Sequence, residues 1–149
     1  MNDYDPIPIQ VKPQSPEHTG EPNAPSAQLI AVLNEIQTLL RQLIDQNKES
    51  AIDLRSLPLF PGDFQQLKQI LGEGEINIQL QAMGPSTFYE THIPGVWWVS
   101  HLNENEEILA EYIEVTRIPS MVTTTQDDLN LAPHAIDQLI EQISTPPAQ

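Results

Sequence analysis

Between Leu71 and Pro119, turn signals cut the chain into runs of strand length, and this stretch constrains the fold more than any other. It reads LGEGEINIQL, then Gly84-Pro85, then FYETHIPGVWWVSHL, an acidic turn, and ILAEYIEVTRIP. From Glu75 to Met83, Ile76, Ile78, Leu80 and Ala82 alternate with Glu75, Asn77, Gln79 and Gln81, which reads as a half-buried strand. Gly84-Pro85-Ser86 predicts a reversal. Thr87 to His92 is a second strand, with Phe88, Glu90 and His92 on one face, and Pro94-Gly95 marks a turn or bulge. Val96 to Leu102 is a third strand, Asn103 to Glu106 a polar turn, and Glu107 to Val115 a fourth strand. In the last, Ile108, Ala110, Tyr112 and Glu114 oppose Leu109, Glu111, Ile113 and Val115, a blurred pattern expected of a central strand covered on both faces. Connections this short join antiparallel neighbours. The sheet is therefore expected to be a four-stranded antiparallel meander.

Helical periodicity flanks this sheet. Ser26 can cap a helix running to about Asn47, within a 26–50 segment. Leu29, Val32, Leu33, Ile36, Leu39, Leu40, Leu43 and Ile44 recur at steps of three and four, so the helix is amphipathic and its stripe needs a cover. The sheet of its own chain, or a second copy in a homodimer, would supply one. Gln46 to Ser56 reads as a connection. Asp63, with Gln66 three residues on, predicts the N-cap of a short helix ending at Leu71, and Gly72 its left-handed C-cap. Pro133 suits a first turn, so Ile136, Leu139, Ile140 and Ile143 predict a final helix over 132–145. Residues 117–131 read equally as short helix or extended chain. The fold class is α+β, with helices packed on one face of the sheet.

Six of the 14 prolines lie in the first 26 residues, so 1–25 is expected to be a disordered, partly polyproline-like tail. The formal net charge is −15, from 21 acids against six Lys plus Arg. That surface repels a phosphate backbone and gives an anionic membrane no hold, while it attracts basic partners. Without cysteine the chain makes no disulfide, thiolate nucleophile or thiolate-bound cluster. MNDYDPIPIQ lacks the features of a signal peptide and no apolar run approaches a membrane span, which makes the cytoplasm the expected location.

Glu73, Glu75, Glu90 and Glu114 recur along the sheet without the partner groups that acid–base or nucleophilic chemistry requires. Glu73 and Glu75 flank Gly74, where solvated turn charges and a binding role are both open. Trp97 and Trp98 are adjacent on one strand and must point to opposite faces. One belongs to the core; the other is either an exposed interface anchor or is covered as well. His92 and His101 lie on neighbouring strands and, with Glu90, have ligand types suited to a transition metal, though without the spacing of an established metal motif. No GxSxG setting and no phosphate-binding glycine loop is present, so no catalytic residue and no cofactor is expected. The candidate contact residues for a protein partner are thus Glu73, Glu75, Glu90, Trp97, Trp98 and Glu114.

At Leu71-Gly72-Glu73-Gly74-Glu75-Ile76, at Glu90-Thr91-His92-Ile93-Pro94-Gly95-Val96-Trp97, and at Ile113-Glu114-Val115 with Ile118-Pro119, the chain resembles the HupH/HyaF hydrogenase expression/formation family. The resemblance covers about residues 57–125 and is to the family's C-terminal domain, most like its short members. It implies a non-enzymatic accessory or chaperone protein in maturation of a nickel–iron uptake hydrogenase. The implied partners are the precursor of the iron–sulfur small subunit and other maturation proteins. Longer members carry a further N-terminal portion, and many have a basic residue where this chain has Trp98.

Overall fold

The computed structural model describes residues 24–82 and 84–145; apart from Ala24 and Pro25, the expected proline-rich tail lies outside the described residues. In chain order the elements are helix α1 (Ala27–Gln46), strand β1 (Ser50–Asp53), a 3-10 turn (Leu54–Ser56), helix α2 (Pro61–Leu71), strands β2 (Asn77–Ala82), β3 (Gly84–Glu90), β4 (Val96–Leu102) and β5 (Ile108–Val115), a second 3-10 turn (Ser120–Val122), and helix α3 (Gln126–Ser144). One antiparallel sheet has the order β1-β5-β4-β3-β2. The α+β meander is present as β2 to β5, but the sheet has five strands rather than four. The added strand, β1, runs from Ser50 opposite Val115 to Asp53 opposite Tyr112. It falls in the segment read as a connection, because four residues contributing only Ile52 to the core are too few to show alternation.

Ser26 Oγ accepts the Leu29 N–H at 3.0 Å, which starts α1, and Asn47 ends it in the left-handed region at φ 52°. Leu29, Val32, Ile36, Leu39 and Leu43 are buried against Val96, Trp98, Ile113 and Val115 of the sheet and against Leu67 and Leu71 of α2. Each of these side chains stabilises the fold by roughly 1.5–3 kcal/mol. These five residues of the stripe are covered inside the chain, Leu33 and Leu40 are partly buried, and Ile44 at its end stays exposed.

Helix α2 starts earlier than expected. Pro61 occupies the first position, and Asp63 lies at N3, where its Oδ2 accepts the Phe60 N–H at 3.0 Å. Asp63 is thus the returning half of the cap rather than the cap itself. Gly72 has φ 66° but ψ −174°, so it leaves the helix directly into extended chain instead of a left-handed cap. Gly84 to Ser86, expected as a turn, belong to β3, whose pairing with β2 reaches Gly84 opposite Ala82.

The sheet is apolar on both faces. Phe88, Trp97 and Val99 form a second buried cluster with Ile78, Leu80, Tyr112 and Val122 on the face away from α1 and α2. The clean alternation of β2 therefore points to this second face, with Ile78 opposite Phe88 and Phe88 opposite Val99. Helix α3 begins six residues before 132, with Thr125 Oγ1 accepting the Asp128 N–H at 3.1 Å, and Pro133 sits in its interior rather than its first turn. None of its residues is buried, so packing on one face holds for α1 and α2 and not for α3. No helix among the described residues is long and apolar enough to cross a membrane.

Candidate functional site

Glu73 and Glu75 emerge where the chain crosses from α2 to β2, and both are exposed. Glu73 Oε1 accepts from Asn77 Nδ2 at 3.3 Å. The glycine between them is required by close approach. Gly74 N–H donates to the Glu90 carbonyl at 2.7 Å, and a Cβ at Gly74 would stand 2.8 Å from the carbonyl oxygens of both Glu90 and Thr91. The Gly-Glu-Gly sequence thus passes the backbone tightly over the end of β3 while both carboxylates stay in water.

Glu90 and Glu114 are half-buried, and Glu90 serves the fold. Glu90 Oε1 accepts the Gly95 N–H at 2.9 Å, closing the Pro94-Gly95 turn, where Gly95 has φ 79°. Burial, and then the neighbouring Glu49, hold the Glu114 carboxyl above its ordinary 4.5. Glu49 in turn accepts from Thr116 Oγ1 at 2.7 Å.

Both tryptophans are covered, so of the two alternatives left open for the outward one the structure has the covered one. Trp97 is 2% and Trp98 1% exposed. The Trp97 indole N–H donates to the Thr116 carbonyl at 3.1 Å, and that of Trp98 to Glu111 Oε1 at 3.3 Å. Tyr89 stacks parallel to Trp98 with ring centroids 6.4 Å apart. Burial first, then Glu73 and Glu111, push the Tyr89 phenol up to about 12.

The polar centre that sequence reasoning missed is Glu111, which is 8% exposed. Its Oε1 takes the Trp98 indole N–H, Lys68 Nζ at 3.3 Å and, more loosely, Ser100 Oγ at 3.5 Å. Lys68 also lies 4.8 Å over the Trp98 ring, so the cation meets both a carboxylate and an aromatic face. The available signal was position: Glu111 shares its side of β5 with the inward residues Ile113 and Val115. An open depression of about 510 Å³ lies beside Glu111, walled by Leu59, Pro61, Phe64 and Ile108 with Arg55 at its rim.

His92 and His101 do not meet. His101 is opposite Ser86, whose Oγ lies 2.8 Å from His101 Nδ1, and its ring is wedged between Phe88 and Tyr112. His92 is exposed beyond the far end of β3, roughly 20 Å of extended chain from Ser86. Among the described residues no three His, Asp or Glu side chains converge as metal ligands, so the pairing of His92, His101 and Glu90 is not made.

Residues 26–143 match the model of the HupH hydrogenase expression protein family, C-terminal conserved region, a match wider than the 57–125 resemblance and one that takes in α1 and nearly all of α3. Among curated proteins the chain is 33% identical over 124 residues to the hydrogenase expression/formation protein HupQ of Azotobacter chroococcum, covering 80% of this chain and 42% of that one. It is 29% identical over 111 residues to HupH of Rhodobacter capsulatus, covering 70% and 40%. The chain therefore spans less than half the length of the curated relatives it matches. Among solved structures it superposes with a TM-score of 0.75 on the hydrogenase expression protein HupH from Thiobacillus denitrificans, at 36% identity, covering 80% of this chain and 99% of that one.

Proposed function

This chain belongs to the HupH hydrogenase expression protein family, through its C-terminal conserved region, and we propose that it is a non-enzymatic accessory protein that binds a client during maturation of a nickel–iron hydrogenase in the cytoplasm. The carrying observation is α3. It lies almost wholly within the matched region, yet Leu129, Ile136, Leu139, Ile140 and Ile143 are all more than half exposed on it. Apolar side chains gathered on a domain surface mark a protein contact. The charge of the same helix supports a basic client. Asp127, Asp128, Asp137 and Glu141 share it, with no Lys or Arg. The complement is an apolar segment flanked by basic residues, which the precursor of the iron–sulfur small subunit offers if its export signal carries paired arginines. Of the residues put forward from sequence, Glu73 and Glu75 are the exposed acidic pair that would add to this attraction; Glu90, Trp97 and Trp98 contribute through the fold, and Glu114 is half-buried beside Glu49.

The test is capture of the small-subunit precursor, with and without its signal peptide, by the full chain and by two variants. Ile136→Asp with Leu139→Asp should abolish capture, and Glu73→Lys with Glu75→Lys should weaken it several-fold, both at unchanged circular dichroism. Full capture by the α3 variant would sink the contact. Equal recovery of precursor with and without the signal peptide would move recognition off the signal.

A further inference from the structure

Among the described residues β2 is an outer strand of the sheet with no strand along its far edge, and it lacks the features that usually protect edges. Asn77–Ala82 holds no charged residue and no proline, and it pairs with β3 over its whole length without a bulge. At the opposite edge, β1 is only four residues long and ends in Asp53.

The direction of the free backbone groups follows from one bond. Glu90 N–H donates to the Ile76 carbonyl at 3.0 Å, so Ile76 points its backbone groups at β3. Alternation then turns Ile78, Leu80 and Ala82 inward as well. The N–H and C=O groups of Asn77, Gln79 and Gln81 face the open edge.

We infer that a second copy of this chain occupies that edge: β2 pairs antiparallel with its own counterpart about a two-fold axis at Gln79, joining two five-stranded sheets into one. Three features select this register. First, Asn77 meets Gln81 of the second copy, Gln79 meets Gln79, and Gln81 meets Asn77, so every outward backbone group finds a partner and each pair exchanges two N–H···O bonds. Second, Ile78 stands opposite Leu80 of the second copy on one face, while amide side chains stand opposite amides on the other. Third, two molecules of net charge −15 repel over most of their surfaces, and this uncharged strand lets them meet with no carboxylate opposite another. The register also carries α1 and α2 of both copies on the same side of the joined sheet, because residues opposite in an antiparallel pair share a face.

Sedimentation of the full chain across a concentration series tests this, with Gln79→Lys and Gln79→Glu as exposed, fold-neutral variants checked by circular dichroism. Wild type should dimerise, and more tightly as salt is added. Each variant alone should lose the dimer, because it sets a like charge against itself on the axis, and an equimolar mixture of the two should restore it. Residue-resolved amide exchange on the wild-type dimer should protect the N–H groups of Asn77, Gln79 and Gln81, and these should exchange freely in the monomeric variants. A wild type that stays monomeric throughout, or a dimer that survives Gln79→Lys, overturns the inference. So does a dimer in which those three amides are unprotected and which Ile136→Asp in α3 disrupts.

Discussion

At the residue scale, Glu111 shows how this chain keeps a carboxylate inside an apolar layer. The group sits on the α1–α2 side of β5, between inward-facing Ile113 and the rim of the sheet, and it is satisfied by an indole N–H, an ammonium and a hydroxyl. The Lys68 ammonium is on a side chain 45% exposed, so its Coulomb attraction is screened and contributes little. The buried Trp98 N–H has no water to turn to, and its loss of an acceptor is the larger effect. Glu111→Ala should therefore lower stability by about 1–3 kcal/mol, the usual cost of an orphaned buried donor. Glu111→Gln should cost less, because the amide oxygen still accepts from Trp98. Urea denaturation of the two variants, followed by tryptophan fluorescence, gives the comparison; equal losses for Ala and Gln would show that the indole bond is not what matters. Reading Glu111 as an opposing residue on β5 was correct, but nothing in sequence says that Trp98 and Lys68 converge on it, since they come from β4 and α2.

At the element scale, what could be read in sequence tracked how much each segment repeats its own signal. Helix α1 repeats a three-and-four step over five turns, and β2 alternates through its full length, so both were legible. β1 offers one core residue, and its existence depends on the edge that β5 presents, which only the folded sheet supplies. The contact residues were harder because alternation assigns Trp97 and Trp98 to opposite faces without saying that both faces are covered. For α3, Pro133 misled because proline is favoured in a first turn, whereas the start is set by Thr125 with Asp127 and Asp128 behind it, acids that also favour a helix N-terminus. Pro133 then removes the hydrogen bond to Leu129 and costs the helix about 3 kcal/mol relative to alanine. Because no residue of α3 is buried, that cost stays local. Pro133→Ala should raise helicity in far-ultraviolet circular dichroism and slow amide exchange around 133, while the urea midpoint of the sheet barely moves. A large rise in that midpoint would mean that α3 is coupled to the core after all.

At the scale of the whole molecule, charge is the term left unbalanced. The chain carries 21 acids against six Lys plus Arg, and among the described residues a single ion pair is formed, Lys68 with Glu111. Nine further acids lie on the connections and α3, at Glu73, Glu75, Glu104, Glu106, Glu107, Asp127, Asp128, Asp137 and Glu141, all exposed. Folding brings these charges closer together than they are in the expanded chain, so self-repulsion opposes the native state. Screening weakens it, because the Debye length falls from about 30 Å at 0.01 M salt to about 8 Å at 0.15 M. Neutral monovalent salt should then stabilise the fold, the reverse of what a protein held by surface ion pairs would show. The urea midpoint is expected to rise between those two salt concentrations with little change in the denaturant slope, since the surface exposed on unfolding is the same. Carrying out the comparison on Gln79→Lys separates this effect from self-association, which salt also favours. A midpoint that stays level or falls would mean that the acidic surface is locally neutralised in a way these contacts do not account for.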